Sequence, residues 1–319
     1  MKVFLLGTDK GNYPSFMYQC KKVFENKGYE IDQFSYRSLK LNKLNITNKI
    51  LNKIILKKVL KSNPDLLFVN KGESLNKGVI SKISKQGIKT INWTLDSPFG
   101  DFYPQNKINN ISEYNHFFVF DPFYLDKLKK INPNSYYLPC AADPIESHKQ
   151  IIPLNKRNYI YDISFLGSYE PERVKFMDNL KEFKPHVWGH NWKISNNFIL
   201  HKDYLTGEDM AKKFNQTKIN LNIQALHGKE SMNLRTFEIP ASNGFQLVDY
   251  KKELPNLFKL DKEIVCYYDI DDLKNKIKYY LKNKEERDKI TLEGHKRVLK
   301  DHKVSDRISE MLKISFNKS

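Results

Sequence analysis

Short apolar runs alternate with longer stretches in which apolar positions recur every three or four residues, almost from the first residue. Lys2–Leu6 closes on Gly7 and reads as a buried strand; Ser15–Lys27 reads as a helix stopped by Gly28. Glu30–Phe34 is the next strand, and a long helix follows over Asn48–Ser62, broken by Asn63-Pro64. Strands at Asp65–Asn70, Thr90–Thr94, His116–Phe120 and Tyr136–Leu138 then alternate with helices at Asn76–Gln86 and Tyr124–Lys130. Pro144 to Asn158 is polar and aperiodic and reads as a linker.

The pattern restarts after it. Strands are predicted at Tyr161–Phe165, His186–Trp188, Ile219–Ile223, Phe245–Val248 and Glu263–Tyr267. Helices are predicted at Pro171–Phe183, Thr206–Gln216, Arg235–Ser242, Asp271–Leu281, Lys284–Lys300 and Val304–Phe316. Two βαβ halves of similar size predict an α/β protein of two doubly wound domains facing across a cleft, divided as residues 1–150 and 151–319.

Composition narrows the class. At 40% hydrophobic residues the chain can build real cores, which excludes a disordered protein. No apolar run reaches the ~18–20 residues of a spanning helix, and the N-terminus lacks a signal peptide's long apolar region. Three separated cysteines argue against a disulfide framework, so a reduced, cytoplasmic protein is expected. The net charge of +17 raises nucleic-acid binding, but the lysines are scattered and no nucleic-acid motif is present. The densest basic stretch is Lys49 to Lys61. There Ile50, Leu51, Ile54, Ile55 and Val59 fall at helical spacing and leave Lys49, Lys53, Lys57, Lys58 and Lys61 on a solvated face. That face carries a second expectation, a peripheral membrane contact with anionic lipid.

The block SMNLRTFEIPASNGFQLV, Ser231 to Val248, carries the chemistry. It places a helix start just after a strand, where open α/β sheets bind ligands. Arg235 offers a planar fork for phosphate oxygens, whereas Glu238 would repel phosphate and suits a vicinal diol. A nucleoside diphosphate supplies both; an ordinary exposed helix start is the alternative. Glu238 is expected on the helix surface, where its loss would leave fold stability unchanged.

The same block resembles the C-terminal signature of CgeB-like glycosyltransferases, the glycosyl transferases group 1 type with the GT-B fold. The resemblance extends upstream through Asp162 to Ser168 (DISFLGS) and Thr206–Ile223, and downstream through Glu263-Ile264-Val265 and Asp269–Leu281 to His302. It covers Tyr161–His302 well and the N-terminal half more loosely, through Trp93, Asp96-Ser97-Pro98 and Leu138-Pro139. It implies two Rossmann-like domains, with a nucleotide-sugar donor (UDP-, TDP- or GDP-linked) on the C-terminal one. A glycan, lipid or protein acceptor would sit on the N-terminal one, in surface glycan or glycoconjugate synthesis. Glu230 and Glu238 stand at the family's E-x7-E spacing, although Ser231 replaces the glycine that usually follows the first glutamate. By resemblance Glu238 holds the ribose, and Arg235 or Lys229 neutralises the diphosphate leaving group. Gly167 and Ser168 let backbone approach the phosphates. No cofactor is implied, since the nucleotide sugar is itself a substrate.

Further candidates each have a plainer reading. Asp269-Ile270-Asp271-Asp272 is a formal D-x-D metal motif, more simply a helix cap at Asp271 or Asp272, so no metal is expected. In HVWGHNW, His186 and His190 lack the helix that zinc ligation at this spacing needs. Trp188 is a candidate for the base side of the nucleotide or for core packing. Gly7 opens the loop Thr8 to Gly11, expected on the acceptor side. Asp96 is the candidate general base or acceptor ligand, or else a turn carboxylate ahead of Pro98; His116 and His227 are weaker alternatives. An epimerase or hydrolase of the same fold and a non-catalytic sugar-nucleotide-binding module remain the rival readings.

Overall fold

The computed structural model describes residues 1–7, 15–36, 48–72, 74–99, 110–149, 151–203, 205–224 and 228–316. The chain divides into two compact units.

The first unit is built on β1 (Lys2–Gly7), β2 (Glu30–Ser35), β3 (Leu66–Asn70), β4 (Lys89–Thr94), β5 (His116–Val119) and β6 (Ser135–Tyr137). All pair in parallel in the order β2-β1-β3-β4-β5-β6. Its helices are α1 (Phe16–Asn26), α2 (Asn48–Ser62), α3 (Val79–Ser84) and α4 (Leu125–Lys129). The Ser15 hydroxyl caps α1 by accepting from the Tyr18 amide at 3.2 Å. In α2, Leu51, Ile55 and Val59 are buried and the expected lysines are exposed. Ile50 departs from the expectation at 47% exposed. Asn52 is buried instead, because its amide donates to Asn48 O and Ser74 O and its Oδ1 accepts from the Asn76 amide.

The second unit is built on β7 (Tyr161–Leu166), α5 (Pro171–Asn179), β8 (His186–Trp188), β9 (Ile199–His201), α6 (Gly207–Gln216), β10 (Thr217–Asn222), α7 (Arg235–Ala241), β11 (Gln246–Asp249), α8 (Leu254–Leu257), β12 (Val265–Tyr267), α9 (Ile270–Lys282) and α10 (Lys284–Asp301). The strands are again parallel, in the order β12-β11-β10-β7-β8-β9. The chain changes winding direction between β7 and β10, so the crevice at their carboxyl ends is the fold's natural ligand position. Ile163, Phe165, Ile219, Leu221, Leu247 and Val265 form the centre of its core. Two polar side chains inside the sheet pair with each other and with the backbone: Ser164 donates to Asn220, whose amide donates to Phe245 O.

The division is not one cut. Residues 228–231 and the last helix, α11 (Val304–Phe316), belong to the first unit, and the second begins at Cys140. α11 packs on α1, where Lys27 Nζ donates to Ser309 Oγ at 2.9 Å. Among the described residues no helix is long and apolar enough to cross a membrane.

Candidate functional site

The helix α7 is short and buried along Thr236–Ala241. Asn233 starts it by accepting from the Thr236 amide at 3.1 Å, while its own amide group donates to Asn222 Oδ1 and its backbone N–H to Gln224 Oε1. These bonds tie the helix start to the carboxyl end of β10. Pro240 lies inside the helix rather than at its start, which removes the N–H that would bond Thr236 O. Gln246 Nε2 donates to that carbonyl at 2.9 Å and fills the gap. Asn243, not Gly244, takes the left-handed conformation that ends α7, with φ of 59°.

This framework brings Arg235 and Glu238 together at the switch between β7 and β10. Arg235 Nε donates to Leu166 O, the last residue of β7, at 3.1 Å. Its Nη1 pairs with Glu238 Oε2. Among the described residues Nη2 has no partner, and the Arg235 side chain is 29% exposed. Glu238 is not on the helix surface: it is 5% exposed. His148 Nε2 lies 3.3 Å from its other oxygen. Burial alone would push this carboxyl up, but the charge of Arg235, helped by His148, outweighs it and holds the pKa at about 2. Each carboxylate oxygen has one partner and keeps a lone pair for another donor.

The strand ends themselves are locked by residues the sequence did not single out. Arg173, buried on α5, donates from Nη1 to Ser168 O at 2.9 Å and from Nη2 to Ile223 O at 3.1 Å, so it staples β7 to β10. Asp249, at the end of β11, accepts from the Gln224 amide at 3.0 Å; burial pushes its carboxyl up to about 6. Gly167 is half-buried and Ser168 exposed, both at the crevice. The glycine that this turn requires is Gly189: its φ is 155°, and a Cβ there would lie 1.9 Å from Gly167 O. Trp188 is only 2% exposed, packed with Leu166, Met210 and Phe214 and stacked on the His201 ring at 4.0 Å, which leaves little surface for a base. His186 hydrogen-bonds His201 at 2.8 Å rather than His190.

Lys229 and Glu230 belong to the first unit. The fully buried Asp121 accepts from their amides at 2.7 and 3.3 Å and from the Phe123 amide at 3.0 Å. The Lys229 side chain is exposed and that of Glu230 half-buried. Asp96 follows β4 and pairs with Lys71 at 2.7 Å, so its carboxylate has a cation as partner. His116 opens β5 and so sits at the amino end of the sheet, away from the ligand side. Gly7 is the last residue of β1; Thr8 to Gly11 and His227 lie outside the described residues. The helix cap at the D-x-D motif is Asp269, which accepts from the Asp272 amide at 2.8 Å, while Asp272 pairs with Lys276 at 2.9 Å.

Fold and site together describe an α/β protein of two Rossmann-like units with a charged pair at the switch point of the second. Residues 172–313 match the model of a family described as glycosyl transferase-like. No curated protein matches the chain. Solved structures match it over nearly its whole length. Sucrose-phosphate synthase from Thermosynechococcus elongatus is 11% identical, with a TM-score of 0.71 over 98% of this chain and 97% of that one. Anabaena HepE in complex with UDP-glucose is 9% identical, with a TM-score of 0.69 over 98% and 99%. The E. coli trehalose-6-phosphate structure bound with UDP-2-fluoro glucose is 10% identical, with a TM-score of 0.68 over 100% of both chains. The chain therefore has the two-domain α/β fold of these proteins.

Proposed function

We propose that the chain is a GT-B glycosyltransferase that moves a sugar from a nucleotide-sugar donor to a hydroxyl acceptor. The observation that carries this reading is the Arg235–Glu238 pair at the β7–β10 switch, inside the stretch that matches the glycosyl transferase-like family. The donor sits against the second unit and the acceptor against the first. Glu238 accepts the ribose hydroxyls on its two remaining lone pairs. Arg235 directs its remaining N–H groups at the diphosphate and stabilises the charge that develops as the sugar leaves. The UDP ligands of two structural neighbours support a uridine donor, with TDP and GDP as the other candidates. The resemblance to CgeB-like enzymes supports a cytoplasmic role in surface glycan or glycoconjugate synthesis. A thermal-shift screen of UDP, GDP, TDP and CMP tests the donor: one nucleoside diphosphate should raise the melting temperature clearly more than CMP. Uniform absence of a shift contradicts the reading. Consumption of the matching nucleotide sugar with transfer, rather than release of free sugar, separates it from a hydrolase or a binding module.

Transfer is expected to need no metal, because Arg235 supplies the positive charge, Asp269 caps its helix and Asp272 pairs with Lys276. Activity measured in EDTA should equal that in Mg2+. Full loss, restored by Mn2+ or Mg2+, would contradict this.

The basic face of α2 supports a peripheral contact with an anionic membrane. Lys49, Lys53, Lys57, Lys58 and Lys61 share it with the exposed Ile50 and Leu60. Changing Lys53, Lys57 and Lys58 together to Gln should weaken binding to phosphatidylglycerol vesicles about a hundredfold, at ~1 kcal/mol per charge. Activity on a water-soluble acceptor should stay the same. Unchanged vesicle sedimentation would return the face to plain solvation.

A further inference from the structure

His148 lies in the polar stretch between the two patterned halves of the chain, yet it is 1% exposed. A tight turn delivers it. Asp143 Oδ1 accepts from the Ile145 and Glu146 amides, and its Oδ2 from the amide and hydroxyl of Ser147. The His148 amide donates back to Asp143 O at 2.7 Å. The Asp143 amide in turn donates to His148 Nδ1 at 3.2 Å. Nδ1 accepts that N–H, which leaves Nε2 as the ring's donor. That nitrogen faces Glu238 Oε1 at 3.3 Å. Ser242 Oγ fixes the residue from the other side by donating to His148 O at 3.1 Å.

We propose that His148 is a positioning residue for the donor. Its Nε2–H holds one oxygen of Glu238 while Arg235 holds the other, so the carboxylate is pinned in a single orientation with its free lone pairs kept for a vicinal diol. The inference rests on the reading of Glu238 as the ribose ligand. A carboxylate held on one side only, by an arginine that must also serve the diphosphate, would turn with it and lose the diol geometry. His148 itself touches no substrate, so its loss should act on donor binding and not on the chemical step.

Glutamine can place an amide N–H where His148 Nε2 stands, whereas asparagine reaches only the Nδ1 position. The test measures UDP and 2′-deoxy-UDP binding by calorimetry for wild type, His148→Gln and His148→Asn, together with KM and kcat for the donor. Wild type should prefer UDP about tenfold. His148→Gln should keep that preference and His148→Asn should lose it, with a KM about tenfold higher and kcat within about threefold of wild type. If His148→Asn discriminates as wild type does, or if both variants lose discrimination equally, His148 is structural and the proposal fails. If wild type itself ignores the 2′-hydroxyl, the ribose role of Glu238 fails first, and this proposal with it.

Discussion

Glu238→Ala is expected to weaken nucleoside diphosphate binding by about a hundred- to ten-thousandfold. Hydrogen bonds from two ribose hydroxyls to a charged acceptor are worth ~1.5–3 kcal/mol each, and each 1.4 kcal/mol is a factor of ten. The substitution should also lower stability by about 1–3 kcal/mol, because it leaves the buried His148 Nε2–H without its acceptor. The sign of the pH effect follows from the depressed carboxyl. Glu238 falls from an ordinary 4.5 to about 2 in the folded chain. Its contribution is therefore present above 4.5 and is lost as pH falls toward 2. Wild type should lose stability across that window, and Glu238→Gln should lose less of it. Chemical denaturation at pH 7 and pH 3, with calorimetry of the nucleotide, reads both effects. Unchanged affinity in Glu238→Ala would remove the ribose assignment.

Arg235→Ala is expected to lower kcat by about a hundred- to a thousandfold, the usual effect of removing one oriented donor from a developing negative charge. It should also disturb Glu238. Burial is the largest influence on that carboxyl and Arg235 the largest opposing one. Without the guanidinium the pKa rises, so the variant should gain an acid limb in its donor-binding profile at a pH where wild type is flat. Arg235→Lys should recover the flat profile more fully than the rate, because an ammonium restores charge but not the planar fork that reaches Leu166 O and Glu238 together and keeps further N–H groups for the proposed diphosphate. Equal rates for wild type and Arg235→Ala under donor saturation would contradict a leaving-group role.

Most of the alternating fold was legible because apolar periodicity and Gly or Pro punctuation agree along the chain. His186–Trp188 and Val304–Phe316 stand as the pattern predicts. β9 escaped because three residues in a polar, Asn-rich stretch show no alternation, and α8 because it is a single turn opened by a proline. The predicted helix over Asn76–Gln86 shortens to α3, which starts only after Gly78 in a left-handed turn with φ of 84°. The predicted helix from Pro171 to Phe183 stops at Asn179, and Lys181–Phe183 turns more tightly.

The site was legible where chemistry and sequence distance coincide. Arg235 and Glu238 are one helical turn apart, so their charges meet by geometry alone. His148 and Arg173 were not legible, because strand order and a tight turn carry them to the crevice. The burial of Glu238 was equally hidden: an acidic residue in a first helical turn reads as exposed until the helix proves buried from Thr236 to Ala241.

The central claim is best tested by a crystal structure with the nucleoside diphosphate selected by thermal shift. The ribose hydroxyls should lie within ~2.6–3.2 Å of the Glu238 carboxylate and the diphosphate beside Arg235 at the ends of β7 and β10. A nucleotide bound elsewhere, with the Arg235–Glu238 pair untouched, would contradict it.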